Sequence, residues 1–325
     1  MFHRRDFHRL ALAAGATRLM RPALAAGRFP ERPLHLVVPF APGGAVDTVG
    51  RTLGERLAAL LGVSVIVENR PGADANLGAE YVARAAPDGY TLLVGANGLA
   101  TNNTLYPKLG FQALKDFTPI SRLGTAPLVL VTASGAPWDS VKALVAAARA
   151  KPGSFNYGSA GNGSSGHLAS ALFCSVAQID AQHVAYKGGS PALVDLIANR
   201  LSFMLLNPLE VLPHLQSGRL KALAVTGEHR SSLLPQLQTL AEAGLAGVNT
   251  DVWWMLLGPA GLTAEVLQAL SRAATQALAD AHLVERLGAL GASVTPSNPE
   301  QAGQFLRQET QRWAQLIHAA HIEAD

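Results

Sequence analysis

Two glycine-rich turns hold most of the chemistry that this sequence could perform. The first is Pro39-Phe40-Ala41-Pro42-Gly43-Gly44-Ala45-Val46-Asp47, which joins an apolar run to a segment of helical spacing. The second, Ser159-Ala160-Gly161-Asn162-Gly163-Ser164-Ser165, makes the same kind of junction farther along. Glycines in such a turn let backbone N–H groups approach a ligand closely, and the helix N-terminus that follows adds partial positive charge. Each turn is therefore an anion seat, suited to a carboxylate. The second adds hydroxyls and the Asn162 amide, which can donate to another oxygen or to a second carboxylate. Asp47 is the exception among these donors. It either caps its turn or accepts from an amide or ammonium group of a ligand, and both roles stay open.

Enzymatic chemistry finds little support. The ten histidines are scattered, and none forms an H-E-x-x-H pair. The run 161–166 does not fit the nucleophile elbow G-x-S-x-G in any register. It does fit G-x-G-x-x-G after an expected strand, with Asp180 at about the distance of a ribose-binding acid. Against a dinucleotide site, the strand Phe155-Asn156-Tyr157-Gly158 is polar for a central strand, and Asp180 precedes its strand where the acid should end one. The expectation is no enzyme, no catalytic residue, no metal and no cofactor.

The N-terminus sets the compartment. Arg4 and Arg5 followed by Phe7, a short apolar run over 10–17, and Ala23-Leu24-Ala25 have the order of a secretory leader over residues 1–26, cleaved near Ala25 or Ala26. The paired arginines resemble a twin-arginine signal, while Arg18 and Arg21 interrupt the apolar stretch and leave the export route open. The run is far shorter than the about 20 residues of a spanning helix. The expected location is the periplasm. Because Arg4, Arg5, Arg18 and Arg21 belong to the leader, the formal charge of +3 mostly leaves with it, and no nucleic-acid footprint remains. Cys174 is the single cysteine, so no disulfide can form within the chain, and Leu172-Phe173-Cys174 on a helix face reads as packing.

These turns need elements to hold them. Hydrophobic residues make up 49% of the chain and charged residues 15%, enough to bury large cores. Roughly 300 residues beyond the leader are more than one core usually serves, so two domains are expected. Apolar and β-branched runs predict strands at 34–39, 63–67, 91–94, 128–132, 155–158, 181–185, 201–206 and 220–225. Helical spacing falls at 46–61, 77–86, 140–150, 165–176, 190–198, 263–279, 283–290 and 299–319. Alternation of this kind builds parallel sheets covered by helices, whose ligands lie beyond the carboxyl ends of the strands, where both turns fall.

Eight blocks in order resemble the tripartite tricarboxylate transporter receptors, also called the Bug family. They are 39–47, Val67-Glu68-Asn69-Arg70-Pro71-Gly72-Ala73, Ala86-Pro87-Asp88-Gly89-Tyr90-Thr91-Leu92-Leu93, 161–165 with His167-Leu168, 183–188, Leu212-Pro213 with 218–226, Glu242-Ala243-Gly244 and Trp253. The resemblance spans essentially the whole chain after the leader. It implies a two-lobed periplasmic-binding-protein fold, type II-like, each lobe a mainly parallel sheet flanked by helices. Lobe 1 would take residues 27–125 and 249–325, lobe 2 residues 126–248, with the ligand cleft between them. It also implies a monomeric receptor that grips a small carboxylate and delivers it to integral-membrane transporter subunits. A sensing domain for an extracytoplasmic signalling partner is the alternative. Carried over, the ligand residues are Phe40, Ala41, Gly43, Gly44 and Asp47 on one side, Ser159, Asn162, Ser164 and Ser165 on the other, and Asn207 after a second-lobe strand.

Departures from the family pattern bear on the substrate. Gly166 stands where many relatives have a larger or polar residue, Leu206 where they have Asp, and Met255 where a glycine is familiar. These changes predict a roomier, less polar pocket, favouring an aromatic or branched monocarboxylate over citrate. The turn at Asn69 and Arg70 reads as structural. Of Trp253 and Trp254, strand alternation puts one in the core and leaves the other for the cleft wall. Trp313 reads as packing. Lys187 either steers anions or is a solvated surface residue.

Overall fold

The structure, a computed structural model, describes residues 29–319 apart from 107, 187, 249 and 290, together with 322. The leader, with Arg4, Arg5 and the cleavage site, and Lys187 therefore lie outside the described residues. Among the described residues no helix is long and apolar enough to cross a membrane, and no cluster of His, Cys, Asp and Glu could hold a metal ion.

The chain opens with β1 (Leu34–Val38), α1 (Ala45–Leu61), β2 (Val65–Asn69), α2 (Asn76–Ala83), β3 (Thr91–Ala96), α3 (Gly98–Leu105) and the long β4 (Phe117–Pro127). It crosses into β5 (Val129–Ala133), α4 (Val141–Ala150), β6 (Phe155–Ser159), α5 (Ser165–Ala177), β7 (Ala181–Ala185), α6 (Gly189–Ile197), β8 (Phe203–Leu206), α7 (Pro208–Gln216) and β9 (Leu220–Val225). It then returns through β10 (Asp251–Pro259), α8 (Ala264–Leu278), α9 (Ala281–Gly288), β11 (Ser293–Val294) and α10 (Pro299–Ala319).

Two sheets result. One runs β2-β1-β3-β10-β4-β11 and the other β7-β6-β8-β5-β9. Apart from the short edge strand β11, both follow one plan. Four strands point the same way, and a fifth, the first strand after a crossing, slots in antiparallel to both its neighbours: β10 between β3 and β4, β5 between β8 and β9. This is the two-lobed α/β binding-protein fold. The crossings are tied together, for Leu128 N–H donates to Thr226 Oγ1 at 2.8 Å while Thr226 N–H donates to the Leu128 carbonyl at 2.8 Å. Strand alternation on β10 puts Trp253 and Trp254 on opposite faces, in separate apolar clusters, each 1% exposed. Neither walls the cleft. Two flanking layers make both faces of this central strand core. Trp313 is also buried, and Glu309 Oε2 accepts from the indole N–H of both Trp253 (3.0 Å) and Trp313 (3.1 Å).

The first βαβ unit shows why sequence dictates the packing that holds the first turn. Ala45, Val49, Leu53 and Leu57 recur every fourth residue and bury one stripe of α1. Gly50 and Gly54 let that stripe lie directly on the sheet. A Cβ at Gly50 would come within 2.7 Å of Val38 Cγ2, and one at Gly54 within 3.1 Å of Val67 Cγ2. The helix stops at Gly62, whose left-handed φ of 70° lets its N–H close back on Ala58. In an exposed helix Gly→Ala stabilises by about 1 kcal/mol. Here Gly50→Ala should instead destabilise by about 1–3 kcal/mol, because the stiff, fully buried Val38 cannot yield without repacking. Urea unfolding measures this, and a stabilised variant would contradict the close packing of helix on sheet.

Candidate functional site

Because β1 to β3 are parallel, as are β6 to β8, the turns that leave their carboxyl ends collect along one edge of each sheet. The two edges face each other. Thr101 Oγ1, on α3, lies 3.5 Å from the Gly163 carbonyl of the other lobe. Gly161 and Gly163 sit so close to the first lobe that a Cβ on either would meet Asp74 Oδ1 or Asn102 Oδ1 at 2.7 Å. Both glycines have positive φ, 128° and 70°, so the turn needs them for conformation as well as clearance.

In the first turn, Ala41 and Gly43 are exposed, and Phe40 is half-buried with its ring against the core. Gly44 occupies the N-cap position of α1 and has no side chain to offer the helix. The first N–H groups of a helix have no intrahelical acceptor, so those of α1 are left for a ligand. Asp47 does not compete for them. Its Oδ2 accepts from Gly43 N–H at 2.9 Å and Arg51 Nε at 3.0 Å, and its Oδ1 from Asn69 Nδ2 at 2.8 Å. Asn69 Nδ2 also reaches the Phe40 carbonyl at 3.0 Å, and Asn69 Oδ1 accepts from Arg51 Nη2 at 2.8 Å. With the residue only 4% exposed and both carboxylate oxygens engaged, Asp47 organises the turn. Arg70 turns outward to Glu68 and stacks on Tyr81.

The second turn is held by neutral groups. Ser159, fully buried, accepts from Gly161 N–H at 3.2 Å and lies 2.7 Å from His183 Nε2. His167 Nδ1 accepts from Gly163 N–H at 3.1 Å, which puts the ring proton on Nε2. Burial, and then the neighbouring His183, push the His167 pKa down to about 3, so this ring is neutral at ordinary pH. The two imidazoles stack at 3.9 Å. Ser164 caps α5, accepting from His167 N–H at 3.3 Å. Asn162 and Ser165 remain half-buried at the turn, and Asn162 Oδ1 is buried with no hydrogen-bond partner among the described residues. Asn207 Oδ1, at the end of β8, is in the same position.

Of the residues read from sequence, the structure thus brings Phe40, Ala41, Gly43 and Gly44 to one edge and Asn162, Ser165 and Asn207 to the other. Asp47, Ser159 and Ser164 lie among them, spent on holding the turns. The three departures do not open a pocket. The space a Gly166 side chain would need is taken by the Leu205 carbonyl, at 2.6 Å from its Cβ position. Leu206 is 3% exposed in the second lobe's core, and Met255 is fully buried. Asp180 directly precedes β7, away from where a ribose-binding acid would stand. Sequence reasoning missed Asp74, Thr101 and Asn102, which meet the second turn. Asp74 lies among three successive left-handed residues, Ala73, Asp74 and Ala75 at φ 45°, 53° and 72°, and the flanking alanines do not announce that conformation.

Residues 49–322 match the model of the tripartite tricarboxylate transporter family receptor. The chain belongs to that family. The protein in the tcbD-tcbE intergenic region of Pseudomonas sp. strain P51 is 36% identical over 97% of this chain and 93% of its own length. BugT of Bordetella pertussis is 35% identical, with 93% of each chain covered. Among solved structures, Rpa4515 of R. palustris with adipate superimposes with a TM-score of 0.87 at 32% identity, over 92% of this chain and all of that one. MatC of Rhodopseudomonas palustris with bound malate gives 0.83 at 32% identity, over 89% and 100%. Shared membership makes this chain a receptor of the same two-lobed build.

The Asp47 network gives this receptor a pH signature. Burial raises the Asp47 pKa, but the hydrogen bonds from Arg51, Gly43 and Asn69, with the Arg51 charge, outweigh it and leave it below the ordinary value. A lowered folded pKa contributes stability above the unfolded pKa of about 3.9, which is lost as pH falls through the folded value. Asp47→Asn should therefore cost about 1–3 kcal/mol at pH 7. The gap between variant and parent should close as pH falls below about 4. Urea unfolding at pH 7 and pH 3 checks this, and a gap independent of pH would show that Asp47 is not the turn's ionised clasp.

Proposed function

We propose that this receptor works outside the cytoplasm, captures a small carboxylate between its lobes, and hands it unchanged to integral-membrane subunits of a tripartite tricarboxylate-type transporter. The observation that carries this reading is the facing pair of turns. Each starts a helix, the α1 end carries no side-chain cap while Ser164 takes only the His167 N–H of α5, and they come from different lobes across one cleft. An anion with several acceptor oxygens is the group that two such donor sets hold together. The adipate and malate carried by two relatives support the ligand class.

In this reading lobe 1 comprises residues 27–125 and 249–325 and lobe 2 residues 126–248, with the crossings at the β4–β5 junction and at β10 acting as hinge. Residues 1–26 are the leader, removed near Ala25 or Ala26 to release a monomer into the periplasm. Ligand contacts fall to Phe40, Ala41, Gly43 and Gly44 on lobe 1 and to Asn162, Ser165 and Asn207 on lobe 2. Asp47, Ser159 and Ser164 keep the turns in shape beneath them.

Thermal melting of the leaderless chain with mono-, di- and tricarboxylates tests the reading. A ligand that binds only the folded state, at 100 times its Kd, stabilises by about 2.7 kcal/mol, so a cognate carboxylate should raise Tm by several degrees. NMR of the same mixtures should show the ligand unconsumed. Failure of every carboxylate to raise Tm, or turnover of any, would sink the proposal.

A further inference from the structure

The first lobe meets the second through a loop held in a conformation that its residues disfavour. Ala73, Asp74 and Ala75 are left-handed in succession, at φ 45°, 53° and 72°. Residues other than glycine persist in that region only where their surroundings over-determine it, and such strain gathers at ligand clamps. The constraint comes from α3 and the residue after it. Asn102 Nδ2, buried on α3, donates to the Asp74 carbonyl at 2.9 Å and to Asn76 Oδ1 at 2.8 Å. Tyr106, which directly follows α3, donates its hydroxyl to Asp74 Oδ2 at 2.6 Å.

What the loop presents to the cleft is a carboxylate. While Oδ2 is held by Tyr106, Oδ1 stands against the second turn, where a Cβ on Gly161 would lie 2.7 Å from it. The next two residues, Ala75 and Asn76, line a hollow shared with Phe40 of the first turn. The loop thus reaches from one anion seat to the other. Asp47 is paired with the Arg51 guanidinium, whereas Tyr106 gives Asp74 a neutral hydroxyl, which orients the carboxylate without cancelling its charge. Half-buried between the lobes, that charge is screened less than one on the open surface. It stands beside a turn whose own donors would otherwise suit a second carboxylate.

We infer that Asp74 is a specificity-determining residue that selects ligands with a single carboxylate, whose far end is uncharged or a hydrogen-bond donor, over di- and tricarboxylates. This rests on the carboxylate-receptor reading above. One carboxylate of the ligand takes the backbone donors of the turns. A second, brought to the Asp74 side of the cleft, meets a like charge, and like charges juxtaposed across a closing interface suppress binding. An amide in the same place can donate to Asp74 Oδ1 instead.

The test is calorimetry at pH 7.5 on the leaderless chain, with each dicarboxylate set against its monoamide, which keeps the shape and drops one charge. Succinate and succinamate, adipate and adipamate, and terephthalate and its monoamide serve, and the same pair is made for any other polycarboxylate that raises Tm. In every pair that binds, the monoamide should bind at least about tenfold tighter. Asp74→Asn keeps the shape, tolerates the left-handed backbone and removes the charge. It should cut that ratio to within about threefold by strengthening the dicarboxylate, a gain that a merely structural role would not produce. Asp74→Gly, which suits a φ of 53°, removes the charge by a second route and should do the same, whether or not the asparagine variant folds. A dicarboxylate that matches or exceeds its monoamide, or a ratio that survives both variants, overturns the inference while leaving the carboxylate receptor intact. Absence of binding in every pair, and of any rise in Tm with the wider carboxylate set, would instead remove the reading on which it rests.

Discussion

The first seat depends on a buried charge being fully spent. Asp47 stands in the first turn of α1, where an acid is favourable to the helix but hostile to an incoming anion. Gly43 N–H, Arg51 and Asn69 surround its carboxylate with donors, so its charge is absorbed within the turn. What it returns is shape. Gly43 is held at a φ of 85°, Gly44 leads into the helix, and the first helical N–H groups stay open. The second seat reaches a similar end by neutral means, through Ser159 and His167, whose imidazole burial keeps uncharged. One seat therefore buffers an acid with a guanidinium, and the other rests on the Ser159 hydroxyl and the uncharged His167 ring.

Both seats sit on the same sheet plan, and the two crossings between the sheets run side by side. The strand that arrives from the other lobe enters between two outgoing strands, which keeps it off the edge of the sheet. Its side chains are consequently buried on both faces, which is why Trp253 and Trp254 are equally core. Asn97 pins β10 from the cleft side, its amide donating to the Asp251 carbonyl and accepting from Trp253 N–H, both at 3.0 Å. Glu309 anchors it from the helix side through the Trp253 indole. The two crossings meet where Leu128 and Thr226 are bonded to each other.

Much of this was legible in the sequence where one period governed one element. Val49, Leu53 and Leu57 announced α1, and the β-branched runs announced β1, β2, β3 and β5 to within two residues. β4 was not legible, since Pro119, Arg122 and Gly124 break its alternation and register shifts against β10 scramble what remains. α3 was missed because Gly98-Leu99-Ala100-Thr101-Asn102-Asn103 has neither cap nor clear stripe, and it is held by tertiary contacts. At the site, sequence supplied the right turns but not the bookkeeping of each side chain. Asp47, Ser159 and Ser164 have ligand-binding chemistry, and only the fold shows that other groups consume it. The same limit undid the pocket argument from Gly166, for a missing side chain opens space only where nothing else fills it, and the Leu205 carbonyl does.

The cross-cleft contacts decide what must drive closure. Thr101 reaches Gly163 at 3.5 Å, long for an O–H···O bond, and the other approaches, Asp74 to Gly161 and Asn102 to Gly163, bring oxygens against glycine backbone. None of these is a strong hydrogen bond, and beside them Leu168 of α5 joins the first lobe's apolar cluster with Leu99, Leu105 and Trp253. The polar approaches are, however, close enough that the glycines cannot be enlarged without prising the lobes apart. A conformational equilibrium shifts only by the difference in a ligand's affinity for its two states. In the proposed reading that difference arises because the donors of α1 and the polar groups of lobe 2 surround one molecule only when the edges meet.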